Sequence, residues 1–418
     1  METTETHRAI EAVWRIESAR LIAGLTRIVR DVGRAEEVAQ DALVAALEQW
    51  PKAGVPENPG AWLMATAKHR AIDHLRRTAL AEKKYEVLGR DLAERESIVP
   101  DLAEALDDNI GDDLLRLVFI ACHPLLPTEA QVALTLRLLG GLTTAEIARA
   151  YLASEPTIAQ RIVRAKRTLS EANVPFEVPR GAEFTARLSS VLQVIYLIFN
   201  EGYSATAGED WIRPALCEEA LRLGRILAGL VPKEAEVHGL VALMEIQASR
   251  SKARVGRSGE PILLLDQDRM LWDRLLIARG FAALERVAEL DGTRGVYAIQ
   301  AAIAACHARA TRAEETDWAH IAALYADLAA VSPSPIVELN RAVAVGMASG
   351  PAAGLVLVDA LRKEPALQGY HLLPSVRGDL LKKLGRFAEA RVEFETAAAM
   401  TRNARERNLL LERALACA

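Results

Sequence analysis

The sequence predicts an all-α protein. Its 418 residues are 51% hydrophobic, and alanine and leucine dominate that fraction; both favour helices over strands. The 25 glycines and 17 prolines make up about a tenth of the chain, which is below the usual share. Apolar residues recur three and four positions apart along most of the chain. We therefore expect helices throughout, in about two to four domains.

Charge and composition exclude several classes of protein. A net charge of −5 excludes a generally basic protein that coats nucleic acid, so any DNA contact has to come from local clusters. The first residues lack the apolar core of a signal peptide, and the charges and breakers leave no membrane-spanning stretch. The cysteines lie about a hundred residues apart without a C-x-x-C pair. We expect a cytoplasmic protein without membrane, metal or cofactor.

The first predicted domain covers residues 1–80. Residues 7–50 predict two helices, and the second has a buried stripe formed by Val38, Ala42, Leu43, Ala46 and Leu47. A third helix begins at Asn58-Pro59, where a capping residue precedes a proline suited to the first turn, and is predicted to run to about residue 77. Residues 82–113 then hold eleven acids against four bases, so residues 81–111 are predicted to be an extended, solvated linker.

The sharpest local pattern lies at the end of the second predicted domain, 112–175. Thr143 and Glu146 form a capping box, and Ser154 or Thr157 opens the next helix, which together predict a helix-turn-helix. On its second helix the predicted inward stripe is Ile158, Ile162, Ala165 and Leu169. The residues left on or beside the outer surface are Thr157, Gln160, Arg161, Arg164, Lys166 and Arg167. Such a face suits phosphates and base edges, or it belongs to an ordinary helical hairpin with a solvated basic side.

The third helix of the first domain carries a second candidate site. One stripe holds Trp62, Thr66, His69, Asp73 and Arg76, with Lys68, Arg70 and Arg77 beside it. An aromatic ring among bases suits unstacked single-stranded nucleic acid. The alternative is that Trp62 is a core residue and that His69 and Asp73 are a solvated pair.

The remainder, 180–418, is predicted to be a separate helical domain. Gly385, Phe387, Ala390, Phe394 and Ala397 occupy the positions at which paired helices of a tetratricopeptide repeat interlock, and residues 337–361 form a looser copy. The helices between 184 and 330 do not follow a fixed 34-residue period.

A charged cluster in this domain leaves three interpretations open. Its members are Asp266, Asp268, Arg269, Trp272 and Asp273. The cluster is either a set of helix caps with internal ion pairs, a ligand or partner site, or a catalytic acid pair. Because the chain has no glycine-rich phosphate loop, G-x-S-x-G or H-E-x-x-H, catalysis is the least favoured.

Several segments together resemble a known family. The series EEVAQDALVAALEQW, AWLMATAKHRAIDHLRR, an acidic linker and LTTAEIARAYLASEPTIAQRIVRAKRTL looks like a bacterial extracytoplasmic-function sigma factor over residues 7–173. The rest resembles the tetratricopeptide-like C-terminal extension of one subgroup of these factors. That likeness is carried by the segments IYLIFNEGYSAT, LLLDQDRMLWD, YAIQAAIAACHARA, SPIVELNRAVAV and YHLLPSVRGDLLKKLGR.

The resemblance implies partners for particular residues. It assigns Glu37, Gln40 and Asp41 to the clamp helices of RNA polymerase. It assigns to the melted minus-ten strand the residues Lys68, His69, Arg70 and Asp73, with Arg76 and Arg77 beside them. It assigns to the minus-thirty-five duplex Thr157, Gln160, Arg161 and Arg164, with Lys166 and Arg167 nearby. Two positions depart from the pattern, since His69 stands where some relatives carry asparagine and Ala159 where many carry a polar or basic residue.

The function expected is that of an alternative sigma factor rather than an enzyme. Its expected partners are core RNA polymerase and promoter DNA, with a protein or small-ligand regulator at the C-terminal domain. That domain is expected to control activity by contacting either residues 7–173 or polymerase, with the 266–273 cluster at or near the contact. The acidic linker is expected either to thread the polymerase interior or to serve as a plain tether. The rivals are a stand-alone helix-turn-helix regulator with a ligand-sensing domain and a helical enzyme built around residues 260–273.

Overall fold

A computed structural model describes residues 2–86 and 110–417, with the side chains of 6–73 and 111–417. Within these residues the chain forms eighteen α-helices and short 3-10 turns, and its only β-structure is two isolated bridges, which confirms the predicted all-α class. Contacts divide the chain into two compact units, Met1–Val194 and Ile195–Ala418. Most of the predicted linker, residues 87–109, lies outside the described residues.

Eight helices begin in the first unit. They are α1 (Glu2–Val29), α2 (Val32–Ala53), α3 (Pro59–Glu86), α4 (Ile110–Ala121), α5 (Thr128–Leu138), α6 (Thr144–Ala150), α7 (Glu155–Glu171) and α8 (Gly181–Tyr203), of which α8 continues into the second unit. Helices α1, α2 and α3 pack against one another, and α4 packs on α1. The inner face of α2 carries small residues such as Ala39, Ala42 and Ala46, all fully buried, so its neighbours approach closely.

Three sequence expectations for this unit are wrong. Helix α3 continues to Glu86, past the predicted end, because residues 78–86 contain no glycine or proline and several strong helix formers. Leu47, predicted to be buried, is 40% exposed. The acidic composition of residues 82–113 favours solvated side chains, but its last member, Asp113, is buried, with its carboxylate 3.3 Å from Nε of Arg27 and 2.7 Å from Nη1 of Arg116. Two guanidinium groups offset the cost of burying that charge.

The second unit is a succession of antiparallel helices. They are α9 (Pro214–Leu230), α10 (Ala235–Ala248), α11 (Arg274–Glu289), α12 (Val296–Arg309), α13 (Trp318–Val331), α14 (Pro335–Ser349), α15 (Pro351–Leu361), α16 (Leu372–Lys383), α17 (Phe387–Met400) and α18 (Ala404–Leu415). From α9 onward each helix packs against the next along the chain, and α10 also packs on α12. This stacking of neighbours is typical of helical-repeat domains.

The hairpin α16–α17 has the tetratricopeptide-like packing expected from its sequence. Ala390, Phe394 and Ala397 are fully buried, and the Phe394 ring packs so tightly on Gly378 that a Cβ there would lie 2.9 Å from it. Gly385, with φ of +74°, ends α16 in a Schellman motif: its N–H donates to the carbonyl of Lys382, and the next N–H donates to that of Leu381. Phe387, expected to interlock as well, is instead half exposed.

Asn403 ties the last helix of the second unit to the segment that follows α8. Its side-chain amide donates to the carbonyl oxygens of Ala205 (3.1 Å) and Asp210 (2.8 Å). Its Oδ1 accepts from the backbone N–H groups of Arg405 and Glu406 and thereby caps α18. The residue is 1% exposed, so water replaces none of these bonds.

Helix α8 is long and apolar enough to cross a bilayer by length and composition alone, but 44% of its apolar window is buried in the protein. The core helix of a globular domain has the same composition, so this is weak evidence of a span.

We predict that Asn403→Ala lowers the free energy of unfolding by about 2–4 kcal/mol, because two carbonyl oxygens and two N–H groups lose their partner. Urea unfolding followed by far-ultraviolet circular dichroism measures the change. The control is Asn408→Ala, an exposed asparagine on the same helix. Equal unfolding midpoints for the two variants would contradict the role assigned to Asn403.

Candidate polymerase and nucleic-acid interface

Helices α6 and α7 form the helix-turn-helix predicted from the sequence. The Thr143 hydroxyl accepts from the N–H of Glu146 (3.1 Å), whose carboxylate accepts from the N–H of Thr143 (2.8 Å), so the capping box is complete. Ser154 caps α7 by accepting from the N–H of Thr157. Partial burial alone raises the pKa of Glu146, but hydrogen bonds from Thr143 and the nearby Arg15 guanidinium hold that pKa below its usual value.

Helix α7 has the two faces expected of it. The inward stripe of Ile158, Ile162, Ala165 and Leu169 is buried. The outward face carries four exposed residues in one row, Thr157, Gln160, Arg164 and Arg167, with Arg161 half-buried beside them. Val163, which sequence reasoning passed over, is 62% exposed and adds an apolar spot to this surface.

The four cations of α7 differ in their surroundings. Lys166 forms an ion pair with Glu36 of α2, and Arg167 donates to Glu171 at 2.6 Å. Arg161 and Arg164 have no ion pair within the described part of the chain. These two guanidinium groups are therefore the ones most available to a phosphate or a base edge.

Helix α3 presents part of its predicted surface to solvent. His69 and Asp73 are exposed, and Lys68 and Arg70 are half-buried. Nη1 of Arg70 donates to the backbone oxygen of Asp41 at 2.6 Å, which fixes α3 against α2. Trp62 packs edge-on against the buried Trp50, with ring centroids 5.4 Å apart, so part of this ring belongs to the core. The side chains of Arg76 and Arg77 lie outside the described residues.

The outer face of α2 combines acidic and apolar side chains. Glu37 and Asp41 are exposed, whereas Gln40 is half-buried and donates to Glu36. Val44 and Leu47 add apolar surface, at 49% and 40% exposure. The acidic residues suit a basic partner, and the exposed apolar pair adds a hydrophobic contact that the sequence pattern alone did not indicate.

One buried carboxylate joins α2 to the helix-turn-helix half of the unit. Glu36 is 3% exposed and accepts a hydrogen bond from Nε of Arg137 on α5 at 2.6 Å, in addition to its ion pair with Lys166 on α7. Helices α2 and α7 pack against each other at this point. In this arrangement one side of α7 is covered by α2.

The 266–273 cluster divides between the surface and the interior of the second unit. Asp268 accepts from the N–H of Met270, and Asp273 caps α11 by accepting from the N–H groups of two residues. Asp266 is exposed, while Arg269 and Trp272 are buried. Because the carboxylates lie on the surface and two of them cap helices, they do not form the confined acid pair that the enzyme interpretation requires.

Comparison with known proteins agrees with this geometry. Residues 16–80, which form most of α1–α3, match the family Sigma-70 region 2, and residues 116–169, which contain the helix-turn-helix, match Sigma-70, region 4. The chain is 30% identical over 158 residues to the ECF RNA polymerase sigma factor SigK of Mycolicibacterium vanbaalenii, covering 37% of this chain and 76% of that protein. The chain belongs to the extracytoplasmic-function sigma factors.

Two further matches extend the assignment. The chain is 25% identical over 175 residues to a probable ECF sigma factor, SigI, of Mycobacterium tuberculosis, covering 41% of this chain and 58% of the relative. It is 45% identical over 390 residues to an uncharacterized protein of Rhizobium meliloti, covering 92% of this chain and 90% of the relative. Residues 187–288 match a family of unknown function, DUF6596. No solved structure matches the chain.

This sigma factor therefore functions in promoter recognition with core RNA polymerase and is not an enzyme. The region 2 match also removes the stand-alone regulator as a rival, because such a regulator would leave α1–α3 unexplained. The two mycobacterial relatives match less than half of the chain. Most of the extension is shared with the Rhizobium protein, since that alignment covers 92% of the chain.

Proposed function

We propose that three surfaces of the first unit, on α2, α3 and α7, bind different partners during initiation. The face of α2 with Glu37, Gln40 and Asp41 binds the clamp helices of core polymerase, supported by its exposed acids and the adjacent Val44 and Leu47. The face of α3 with Lys68, His69, Arg70 and Asp73, together with Arg76 and Arg77, holds the melted minus-ten strand. The site of action is then the cytoplasm, where polymerase and promoters are.

We propose that α7 reads the minus-thirty-five duplex through Thr157, Gln160, Arg161 and Arg164, with Lys166 and Arg167 at the margin. The observation that carries this proposal is the row of exposed polar residues on the second helix of a helix-turn-helix, backed by a fully buried apolar stripe. A helix with this division of faces fits the major groove, and an arginine contacts guanine through two hydrogen bonds.

We predict that Arg164→Ala lowers transcription from a minus-thirty-five-dependent promoter by about tenfold or more, because a two-bonded base contact contributes about 1–3 kcal/mol. Run-off transcription with purified core polymerase measures the loss. The control is Arg8→Ala, which removes an exposed arginine from α1. Equal output from Arg164→Ala and wild type would exclude Arg164 from the interface.

We propose that the first unit has to open before it can occupy a promoter. Helices α3 and α7 both pack on α2, so their axes are only about 20 Å apart. The minus-ten and minus-thirty-five elements are, by their names, about 25 base pairs apart, which is about 85 Å of duplex. The two helices cannot reach both elements while α7 stays on α2. The Glu36 contacts with Arg137 and Lys166 are thus bonds that promoter binding breaks.

We predict that a disulfide between Gly33→Cys and Lys166→Cys blocks initiation at promoters that need both elements. An ideal Cβ on Gly33 lies 3.8 Å from Cβ of Lys166, the separation found in disulfides. The four native cysteines are buried and do not compete. Oxidation should abolish run-off transcription, and reduction should restore it.

The controls for this cross-link are the two single variants, which should respond to neither oxidant nor reductant. Full activity from protein shown by gel mobility to be cross-linked would mean that α7 can stay on α2 throughout initiation.

We propose that the C-terminal unit controls the activity of the first through the surface of residues 263–275. This surface combines exposed apolar side chains, above all Met270 at 82%, Leu275 at 59% and Leu271 at 49%, with the exposed carboxylates of Asp266, Asp268 and Asp273. Apolar area rimmed by one sign of charge is typical of a docking site for a protein of the opposite charge. The partner expected is a basic, partly apolar segment of polymerase or of a regulator.

We predict that the pair Met270→Ser and Leu271→Ser changes transcription several-fold without changing the melting temperature, because both side chains are largely solvated in the free protein. Val356→Ser, which alters an equally exposed residue on α15, is the control and should have no effect. Wild-type transcription by the double variant at every polymerase concentration would remove this surface from the mechanism.

A further inference from the structure

Three arginines of the second unit are buried without an acidic partner. Arg250, Arg254 and Arg269 are each 7–8% exposed. No carboxylate lies within 4 Å of any of them in the described part of the chain; their hydrogen-bond acceptors are neutral oxygens. By contrast, the buried acids Glu36, Asp113 and Glu245 of this protein all have cationic partners. A buried charge is normally paired, so the lack of counter-charge here calls for a cause.

Aromatic rings connect the three arginines into one cluster. Trp272 is near two of them, with its ring centroid 5.6 Å from the guanidinium carbon of Arg250 and 5.0 Å from that of Arg269. The guanidinium carbon of Arg254 lies 3.6 Å from the ring centroid of Tyr203, whose hydroxyl accepts from Arg250. The members come from segments far apart in sequence, so the fold brings them together.

This cluster contains several hydrogen-bond donors that the protein does not use. Within the residues that the structure describes, the buried Nε atoms of Arg250, Arg254 and Arg269 make no hydrogen bond. The same holds for the indole nitrogens of Trp272 and of Trp211, whose ring centroid lies 5.6 Å from the guanidinium carbon of Arg254. All five are N–H donors, and leaving such a group buried without an acceptor is costly. Five unused donors around three positive charges indicate a need for acceptor atoms that carry negative charge.

The surroundings of His307 indicate the same excess of positive charge. Burial, followed by the charges of Arg250 and Arg269, lowers the pKa of its ring to about 4. The carboxylates of Glu314 and Glu315 act on Arg269 from a distance, and burial still lowers the pKa of that guanidinium. His307 is thus held neutral next to the cluster at physiological pH.

We propose that this cluster, Arg250, Arg254, Arg269 and Trp272 with Tyr203, is a binding site for a small oxyanion. Phosphate and carboxylate share the chemistry that the site requires, since both accept pairs of hydrogen bonds from a guanidinium group. A single anion supplies acceptors to the Nε donors and offsets the buried positive charge. The binding itself does not depend on the proposed promoter or docking functions.

The position of the site connects it with the surface of residues 263–275. Arg269 and Trp272 point inward on the same short segment that exposes Met270 and Leu271. Nη1 of Arg269 also donates to the carbonyl oxygens of His307 and Ala310, both at 2.6 Å, at the end of α12. An anion held by Arg269 therefore stabilises the segment whose outer face is proposed to dock. The anion then acts as a signal that controls the conformation of this surface.

The first test uses the full-length wild-type protein. Inorganic phosphate, sulfate and succinate are titrated by calorimetry at constant ionic strength, with sodium chloride as the reference salt. Saturable one-site binding of at least one of them, accompanied by quenching or enhancement of tryptophan fluorescence, is expected. Preference for phosphate and sulfate over succinate assigns a tetrahedral anion, and the reverse preference assigns a carboxylate. No saturable binding of any of the three would overturn the proposal.

Nuclear magnetic resonance of His307 gives a second readout on the wild-type chain. A bound anion offsets the charges of Arg250 and Arg269, so the pKa of the ring should rise on saturation with the anion that binds. Sodium chloride at the same ionic strength is the control and should leave the His307 titration unchanged. An unchanged His307 titration in the presence of a saturating anion would place the binding elsewhere and overturn the proposal.

Variants then locate the binding. Arg254→Met and Arg254→Lys should each weaken the anion by about tenfold or more, the second because a lysine lacks the planar fork. The matched control is Arg279→Met, an exposed arginine of the same unit, which should bind as wild type does. Wild-type affinity in both folded Arg254 variants would overturn the site, whatever becomes of the docking surface.

Discussion

The buried carboxylate of Glu36 joins the two halves of the first unit. It lies on α2 and binds cations from α5 and α7, so one side chain connects α2 with the helix-turn-helix half. Asp113 on α4 makes similar ion pairs, one with Arg27 of α1 and one with Arg116 of its own helix. Removing one member of a buried ion pair is costly, yet the exchange of one ionic partner for another is less so. Polymerase and promoter DNA carry charged groups of their own, so an exchange of ionic partners is compatible with the proposed opening of this unit.

The two units differ in how their buried charged side chains are paired. In the described part of the first unit, the buried acids Glu36 and Asp113 each pair with at least one base from another helix. In the second unit three arginines share a layer with aromatic rings and neutral oxygens, and the balance is left incomplete. Cation–π contacts stabilise a guanidinium group by about 2 kcal/mol when it is desolvated, which is less than the cost of burying the charge. The proposed anion would supply the negative charge that this layer lacks.

Local periodicity predicted the features whose geometry is set within a single helix. The stripe of Ile158, Ile162, Ala165 and Leu169 and the capping box at Thr143 were read correctly because their spacing is set by the helix itself. Glu36 was missed in favour of its neighbour Glu37, because its partners lie about a hundred residues and more away. The arginine cluster was missed for the same reason. The assignments of residues to polymerase, minus-ten and minus-thirty-five contacts came from family resemblance and stay predictions.

The hydrogen bonds between Asn403 and the segment after α8 limit how this domain can change during evolution. An open array of stacked hairpins gains or loses a repeat at little cost, since each repeat touches only its neighbours. Here the last helix reaches back to the carbonyl oxygens of Ala205 and Asp210, near the start of the same unit. Inserting or deleting one hairpin would move α18 by the width of a helix pair and break that closure. The number of helices between these two points of contact is therefore constrained, and we expect variation in the side chains and loops between them.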